Sequence, residues 1–197
     1  MGAHERRVGR LRGELAGLGA ATFLVTHPVN VRYLTGFESS NAAVLVGGDR
    51  LLLLTDGRYV AAARAVAGAE VVQADRELAP WLGKRFGELA EAPVAFESTH
   101  VTVAAHAALA QGAVDLLPAA GVIEELRSAK DEPELDTIRR AAEILTAALE
   151  EVARGTVVGR TEADVAWGIE QALHDAGADA PAFPPIVASG PNSALPH

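Results

Sequence analysis

The sequence predicts a mixed α/β domain over residues 1–127, followed by the opening of a second, helix-led domain over 128–197. Three observations carry this prediction. Up to residue 127, short apolar runs alternate with segments of helical period, the pattern of a sheet with helices on its faces. Beyond residue 130 the pattern changes to two amphipathic helices and one apolar run. The charge changes with it, the net −9 of the chain dividing into −2 for residues 1–127 and −7 for 128–197.

Residues 4–18 read as an amphipathic helix, with Val8, Leu11, Leu15 and Leu18 three and four apart. Thr22–Thr26 is a short run of β-formers, and a Pro28-led turn and short helix lead to Tyr33-Leu34-Thr35-Gly36-Phe37. Ala42–Val46 and Leu51–Leu54 flank Gly47-Gly48-Asp49, a hairpin signal because glycine supplies the positive φ such turns use. Helices are expected at 57–67, 77–88, 102–110 and 121–127, and strands at Glu70–Gln73, Pro93–Phe96 and Val114–Leu117. From Leu135 the apolar positions 135, 138, 142, 145, 149 and 152 follow one helical face. Asp131 and Glu134 form a capping box with Pro133 in the first turn, and Gly155 marks the end. A second helix starts at Thr161 and closes near Gly177, and Phe183–Ala188 reads as a strand leading into Ser189-Gly190-Pro191-Asn192. Two helices and one strand bury their apolar faces poorly, and a lone strand needs a pairing partner. Residues 128–197 therefore read as the start of a larger domain, and the chain as a fragment.

Composition narrows the function. With 49% hydrophobic and 22% charged residues the chain is of ordinary globular make-up, and no apolar run approaches the length of a membrane span. There is no cysteine, which removes disulfides, thiolate metal sites and cysteine nucleophiles. The arginines near the start are interrupted by Glu5 and Glu14 and no apolar targeting core follows, so the expected location is cytoplasmic. An acidic chain without a basic stripe is not expected to bind nucleic acid.

The six histidines are scattered, and no metal motif can be assembled from local spacing. Ser189 lacks the Gly-x-Ser-x-Gly context of a nucleophile elbow and reads as a turn residue. Asp56-Gly57-Arg58-Tyr59 follows a buried strand. Its guanidinium suits a substrate carboxylate, but a helix cap by Asp56 with a surface Arg58 is the preferred reading. The stretch from Ile186 to His197 is the most informative, a strand running into a loop that delivers a histidine. On the residues alone, His197 is a candidate reacting group and equally a terminal surface histidine.

At these residues the chain resembles the pita-bread metallopeptidases, in their Xaa-Pro aminopeptidase and proline dipeptidase branch. Tyr33-Leu34-Thr35-Gly36-Phe37, Leu53–Tyr59 and Val94-Ala95-Phe96-Glu97 are similar to the family's amino-terminal creatinase/prolidase-type domain. Leu126–Leu135 resembles the junction into the catalytic domain, and Gly159-Arg160-Thr161-Glu162 and Phe183–His197 its first helices and strand. The resemblance implies an α/β amino-terminal domain followed by the truncated start of an α+β pita-bread domain. It implies an enzyme removing an amino-terminal residue that precedes proline, with peptide substrates carrying proline in second position, and two divalent ions, usually manganese. It also implies that His197 assists substrate binding and the transition state without ligating metal, that Phe183 lines the substrate pocket, and that the protein is a homo-oligomer. The family's metal ligands match no residue of this chain, so no metal ligand is assigned here and the chain alone is expected to be inactive. A proline dipeptidase, a creatinase-like hydrolase and a non-catalytic binding protein of the same fold remain the rival readings.

Overall fold

The alternation read in the first 127 residues folds into one six-stranded sheet. The computed structural model of the protein describes residues 2–112 and 114–195. Two compact units divide the chain, Met1–Ala129 and Lys130–His197.

In the first unit α1 (Ala3–Leu18) leads into β1 (Thr22–Val25), α2 (Pro28–Thr35) and the hairpin β2 (Ala42–Gly47) and β3 (Leu51–Thr55). Then follow α3 (Val60–Ala63), β4 (Glu70–Gln73), α4 (Leu78–Gly83), α5 (Phe86–Leu89), β5 (Val94–Glu97), α6 (Val103–Leu109), β6 (Leu116–Ala119) and α7 (Val122–Ser128). The strands lie in the order β4-β3-β2-β1-β5-β6. Only β2 runs against the rest, pairing antiparallel with both β1 and β3, while β1–β5, β5–β6 and β3–β4 are parallel. Five carboxyl ends therefore meet at one edge of the sheet.

Period-two alternation sorts the strand residues between two cores. Phe23, Val25, Val44, Val46, Leu53 and Ala95 pack on one face against Val8, Leu11 and Leu15 of α1, Leu34 of α2 and Ile123 of α7. Leu24, Leu45, Leu52, Leu54, Val94 and Phe96 pack on the other against Leu82, Phe86 and Leu109 from α4, α5 and α6. Both faces are covered, so the strands read as continuous apolar runs.

Four expected elements differ. The helix expected over 57–67 shrinks to α3, because the Asp56 carboxylate ties back the Arg58 N–H and holds residues 57–59 in a turn. The helix expected over 77–88 breaks between α4 and α5. Gly83 lies so close to α6 that a Cβ there would overlap the Ala108 carbonyl, and a Cβ on Gly112 would overlap the Gly83 carbonyl. Replacing Gly83 by alanine should therefore destabilise the first unit by about 1–3 kcal/mol through overpacking, despite alanine's better helix propensity. A urea midpoint equal to or above that of the parent would refute this close-approach account. The strand expected at Val114–Leu117 forms two residues later and includes Pro118. The Val94 and Ser98 N–H groups donate to the Asp115 and Ala119 carbonyls, which places the even-numbered residues of β6 facing away from β5, so Pro118 removes no ladder donor.

The second unit contains α8 (Glu132–Arg154) and α9 (Glu162–Asp175). Asp131 and Glu134 cap α8 reciprocally, and Thr161 and Asp164 do the same for α9. The strand expected over Phe183–Ala188 is absent. This segment has no strand partner among the described residues, and β-formers without a partner cannot close a ladder. It is followed by a 3₁₀ turn, Gly190–Ala194. Ala148 and Leu173 are buried between the two helices, yet Ile138, Leu145 and Leu149 are about half exposed. Together with Ile169, Leu173, Phe183 and Ile186 they line an apolar groove of ≈1010 Å³.

Candidate functional site

The carboxyl edge of the sheet in the first unit gathers two polar clusters. At the end of β3, the buried Asp56 carboxylate receives Arg58 twice, Nε to Oδ1 at 3.0 Å and Nη2 to Oδ2 at 2.7 Å. Asn41 Nδ2 donates to Oδ2 at 2.6 Å and the Arg58 backbone N–H to Oδ1 at 2.9 Å. The Arg58 guanidinium, then the Asn41 amide, hold this carboxyl well below the usual carboxylate range. The fork that suited an incoming carboxylate is thus closed on a residue two positions away, and the expected helix cap by Asp56 is not formed: Tyr59 precedes α3, and no side chain caps it. Beside it the Tyr59 and Ser40 hydroxyls lie 2.8 Å apart, and this hydrogen bond lowers the Tyr59 pKa.

Asp56 makes the first unit sensitive to acid. Its folded pKa lies below the unfolded value of about 3.9, so its stabilisation is complete above that value and declines as pH falls below it. Asp56→Asn should be less stable than the parent at pH 7, and the gap should narrow between pH 5 and pH 3. Urea midpoints at pH 7 and pH 3.5 measure this, and an unchanged gap would remove Asp56 from the account.

At the ends of β1 and β5, Glu97 is the hub. Its Oε2 accepts the backbone N–H groups of Thr26 at 2.6 Å and His27 at 2.7 Å, at the start of α2, and its Oε1 accepts Asn30 Nδ2 at 2.7 Å. Asn30, fully buried, also donates to Glu124 and accepts from Arg127 Nη1 at 2.9 Å, which ties α7 to the same point. The rings of His27 and His100 are 4.5 Å apart at the rim. Sequence reasoning passed over Asn30 and Glu124, and quoted Glu97 and Arg127 only as parts of family motifs without a role. The one local signal was a carboxylate ending a strand buried at all four positions.

In the second unit the signal residues are distributed differently. Phe183 is 72% exposed and lines the apolar groove rather than standing on a strand. His197 lies outside the described residues. Ser189 is the residue before the 3₁₀ turn and, with Asn192, is bound by Glu162, the first residue of α9. Glu162 was quoted only as part of a motif, and no signal in the sequence gave it this partner. Among the described residues no group of three or more His, Asp or Glu side chains is placed to hold a metal ion, so the described residues do not fit a metal pair. No helix of the described residues is long and apolar enough to cross a membrane.

Residues 7–129 match the family model of the Creatinase/Prolidase N-terminal domain, and residues 136–197 match Metallopeptidase family M24. The chain belongs to this creatinase/prolidase-type metallopeptidase family. An uncharacterized peptidase of Bacillus subtilis, YqhT, is 32% identical over 192 residues, covering 95% of this chain and 54% of the relative. The structure of an Xaa-Pro dipeptidase from Bacillus anthracis matches with a TM-score of 0.90 at 30% identity, over 98% of this chain and 55% of that one. An X-Pro aminopeptidase from Thermotoga maritima matches with a TM-score of 0.82 at 29% identity, over 97% of this chain and 55% of that one. The chain spans about half the length of these relatives.

Proposed function

We propose that the whole protein is a metal-dependent Xaa-Pro aminopeptidase, removing an amino-terminal residue that precedes proline. The observation that carries this reading is the successive match of residues 7–129 to the Creatinase/Prolidase N-terminal domain and of residues 136–197, ending on the Phe183–His197 stretch, to Metallopeptidase family M24. In this reading the first unit is a complete creatinase/prolidase-type domain, and residues 128–197 are the first helices of the catalytic domain. The apolar groove between α8 and the Phe183 segment supports it, since half-exposed Ile138, Leu145 and Leu149 are suited to burial under further chain. The divalent ions, manganese in this reading, would activate water and polarise the peptide carbonyl. Their ligands belong to the part of the relatives' length that this chain does not span. Within this chain, the His197 imidazole would donate a hydrogen bond where charge develops on the scissile peptide, and Phe183 would contribute an apolar wall for substrate. The reading also makes the protein cytoplasmic, in keeping with a cysteine-free chain, and a homo-oligomer.

A proline dipeptidase is the second reading, favoured by the higher TM-score to the Bacillus anthracis dipeptidase. The two differ in whether chain beyond proline is accepted. Incubating the whole protein, loaded with Mn²⁺, with Xaa-Pro and with Xaa-Pro-Yaa-Yaa separates them: cleavage of the longer peptide supports the aminopeptidase, and cleavage of the dipeptide alone the dipeptidase. The 197-residue chain under the same conditions should release no amino acid. Metal-dependent release by that chain would overturn the assignment of its second unit as an incomplete catalytic domain.

A further inference from the structure

One carboxylate ties the last described turn to the start of α9. Glu162 Oε1 accepts the Ser189 backbone N–H at 2.7 Å, the Ser189 hydroxyl at 3.0 Å and the Asn192 side-chain amide at 3.1 Å. Its Oε2 accepts the same amide at 3.0 Å. Ser189 stands in the N-cap position of the 3₁₀ turn, yet its side chain makes no cap and is turned to Glu162 instead. Within the turn the remaining bonds are local: Asn192 N–H to the Ser189 carbonyl, Ser193 Oγ to the Gly190 carbonyl and Leu195 N–H to the Asn192 carbonyl.

Residues 188–195 are all exposed, so apolar burial within this unit does not fix the turn. Its conformation rests on the carboxylate. Glu162 suits that task because it occupies the first helical position of α9, where the positive end of the helix favours a negative charge. The Ser189 N–H, then the Asn192 amide and the Ser189 hydroxyl, hold its carboxyl below the ordinary glutamate pKa. Three exposed glutamates of α8, Glu143, Glu150 and Glu151, make i,i+3 or i,i+4 ion pairs on their own helix. Glu162 instead reaches residues 27 and 30 positions away.

We propose that Glu162 is a positioning residue of the peptidase site, holding the Ser189–Asn192 turn so that the chain leading to His197 departs from a fixed anchor. The inference rests on the reading of the protein as an Xaa-Pro peptidase with His197 at the substrate. His197 follows Asn192 by five positions, and extended chain spans at most about 18 Å over that length, so the anchor bounds where the imidazole can stand. A turn ordered beforehand leaves less chain to order when substrate binds, and small misplacements of a reacting group lower rates steeply. The carboxylate touches neither substrate nor reacting atoms. It acts through the turn.

The test has two arms. On the 197-residue chain, amide hydrogen exchange is compared for the parent, Glu162→Ala and Glu162→Gln. Glu162→Ala should speed exchange at the Ser189 amide about tenfold, the effect of one lost hydrogen bond. Glu162→Gln keeps an oxygen for the Ser189 N–H, and a flipped Asn192 amide can still bond its new NH₂, so it should stay close to the parent. Amides in the middle of α9 should be unchanged in both, which shows that the unit still folds. An unchanged Ser189 amide in Glu162→Ala overturns the proposal. On the whole, metal-loaded protein with an Xaa-Pro peptide, Glu162→Ala should lower kcat about tenfold with KM and metal content near the parent's, and Glu162→Gln should recover most of the rate. In a His197→Ala background, Glu162→Ala should change kcat less than about twofold, because the two act as one unit. Full multiplication of the two losses overturns the positioning role. A whole protein that cleaves no Xaa-Pro peptide overturns the peptidase reading and the catalytic role resting on it, while the exchange arm still decides whether Glu162 holds the turn.

Discussion

His197→Ala in the whole, metal-loaded protein should lower kcat for an Xaa-Pro peptide by about 10²–10³, the loss seen when one donor to a developing oxyanion is removed. An imidazole N–H beside the scissile peptide bonds most strongly when charge has built up on the carbonyl oxygen, so the effect falls on the transition state more than on substrate binding. KM should move little and bound metal should stay at the parent's level, since the assigned role is donation rather than ligation. Metal analysis beside steady-state kinetics separates the possibilities. Loss of metal would make His197 a ligand, and an undiminished kcat would leave it a structural residue.

Glu97→Ala should be the most damaging single truncation in the first unit outside its apolar cores, costing about 3–5 kcal/mol. The carboxylate is 4% exposed and receives the N–H groups of Thr26 and His27 and the Asn30 amide. Removing it takes the acceptor from these three donors and from the Thr26 hydroxyl at once, in a place with little water to replace it. It also frees Asn30 from the point that joins α2 to α7 through Glu124 and Arg127. Glu97→Gln should fall between, because one oxygen remains while the new NH₂ group faces donors. Urea unfolding followed at Trp81, which belongs to this unit, measures both. A Glu97→Ala variant within about 1 kcal/mol of the parent would show that water replaces the carboxylate at little cost.

The layered core was legible because its signals are local. Val8, Leu11 and Leu15 repeat at helical spacing, Gly47-Gly48-Asp49 punctuates two apolar runs, and the Asp131–Glu134 and Thr161–Asp164 boxes announce their helices three residues apart. Two of the errors lie where distant chain decides. Gly83 ends α4 early because α6 passes against it, and nothing near Gly83 in sequence announces Ala108. Phe183–Ala188 has the composition of a strand, but a strand belongs to a pair and none of the described residues supplies the second member. The polar clusters were hidden for the same reason. Glu97 finds its partners about 70 residues earlier and Glu162 about 30 residues later, so neither leaves a local pattern. The family motifs did point at His197 and Phe183, through resemblance rather than through geometry.

Pro118 has a consequence for assembly. In β6 the groups that face away from the sheet belong to Leu116 and Pro118, so between Leu116 and Ala119 this border offers a visiting strand two carbonyl acceptors but a single donor, the Leu116 N–H. A second chain laid along β6 would meet a ring where the ladder requires a donor, and the sheet cannot be lengthened on that side by simple strand addition. The opposite border, β4, carries no proline, so strand pairing between copies is confined to that side, and the open-ended stacking of border on border is stopped at β6.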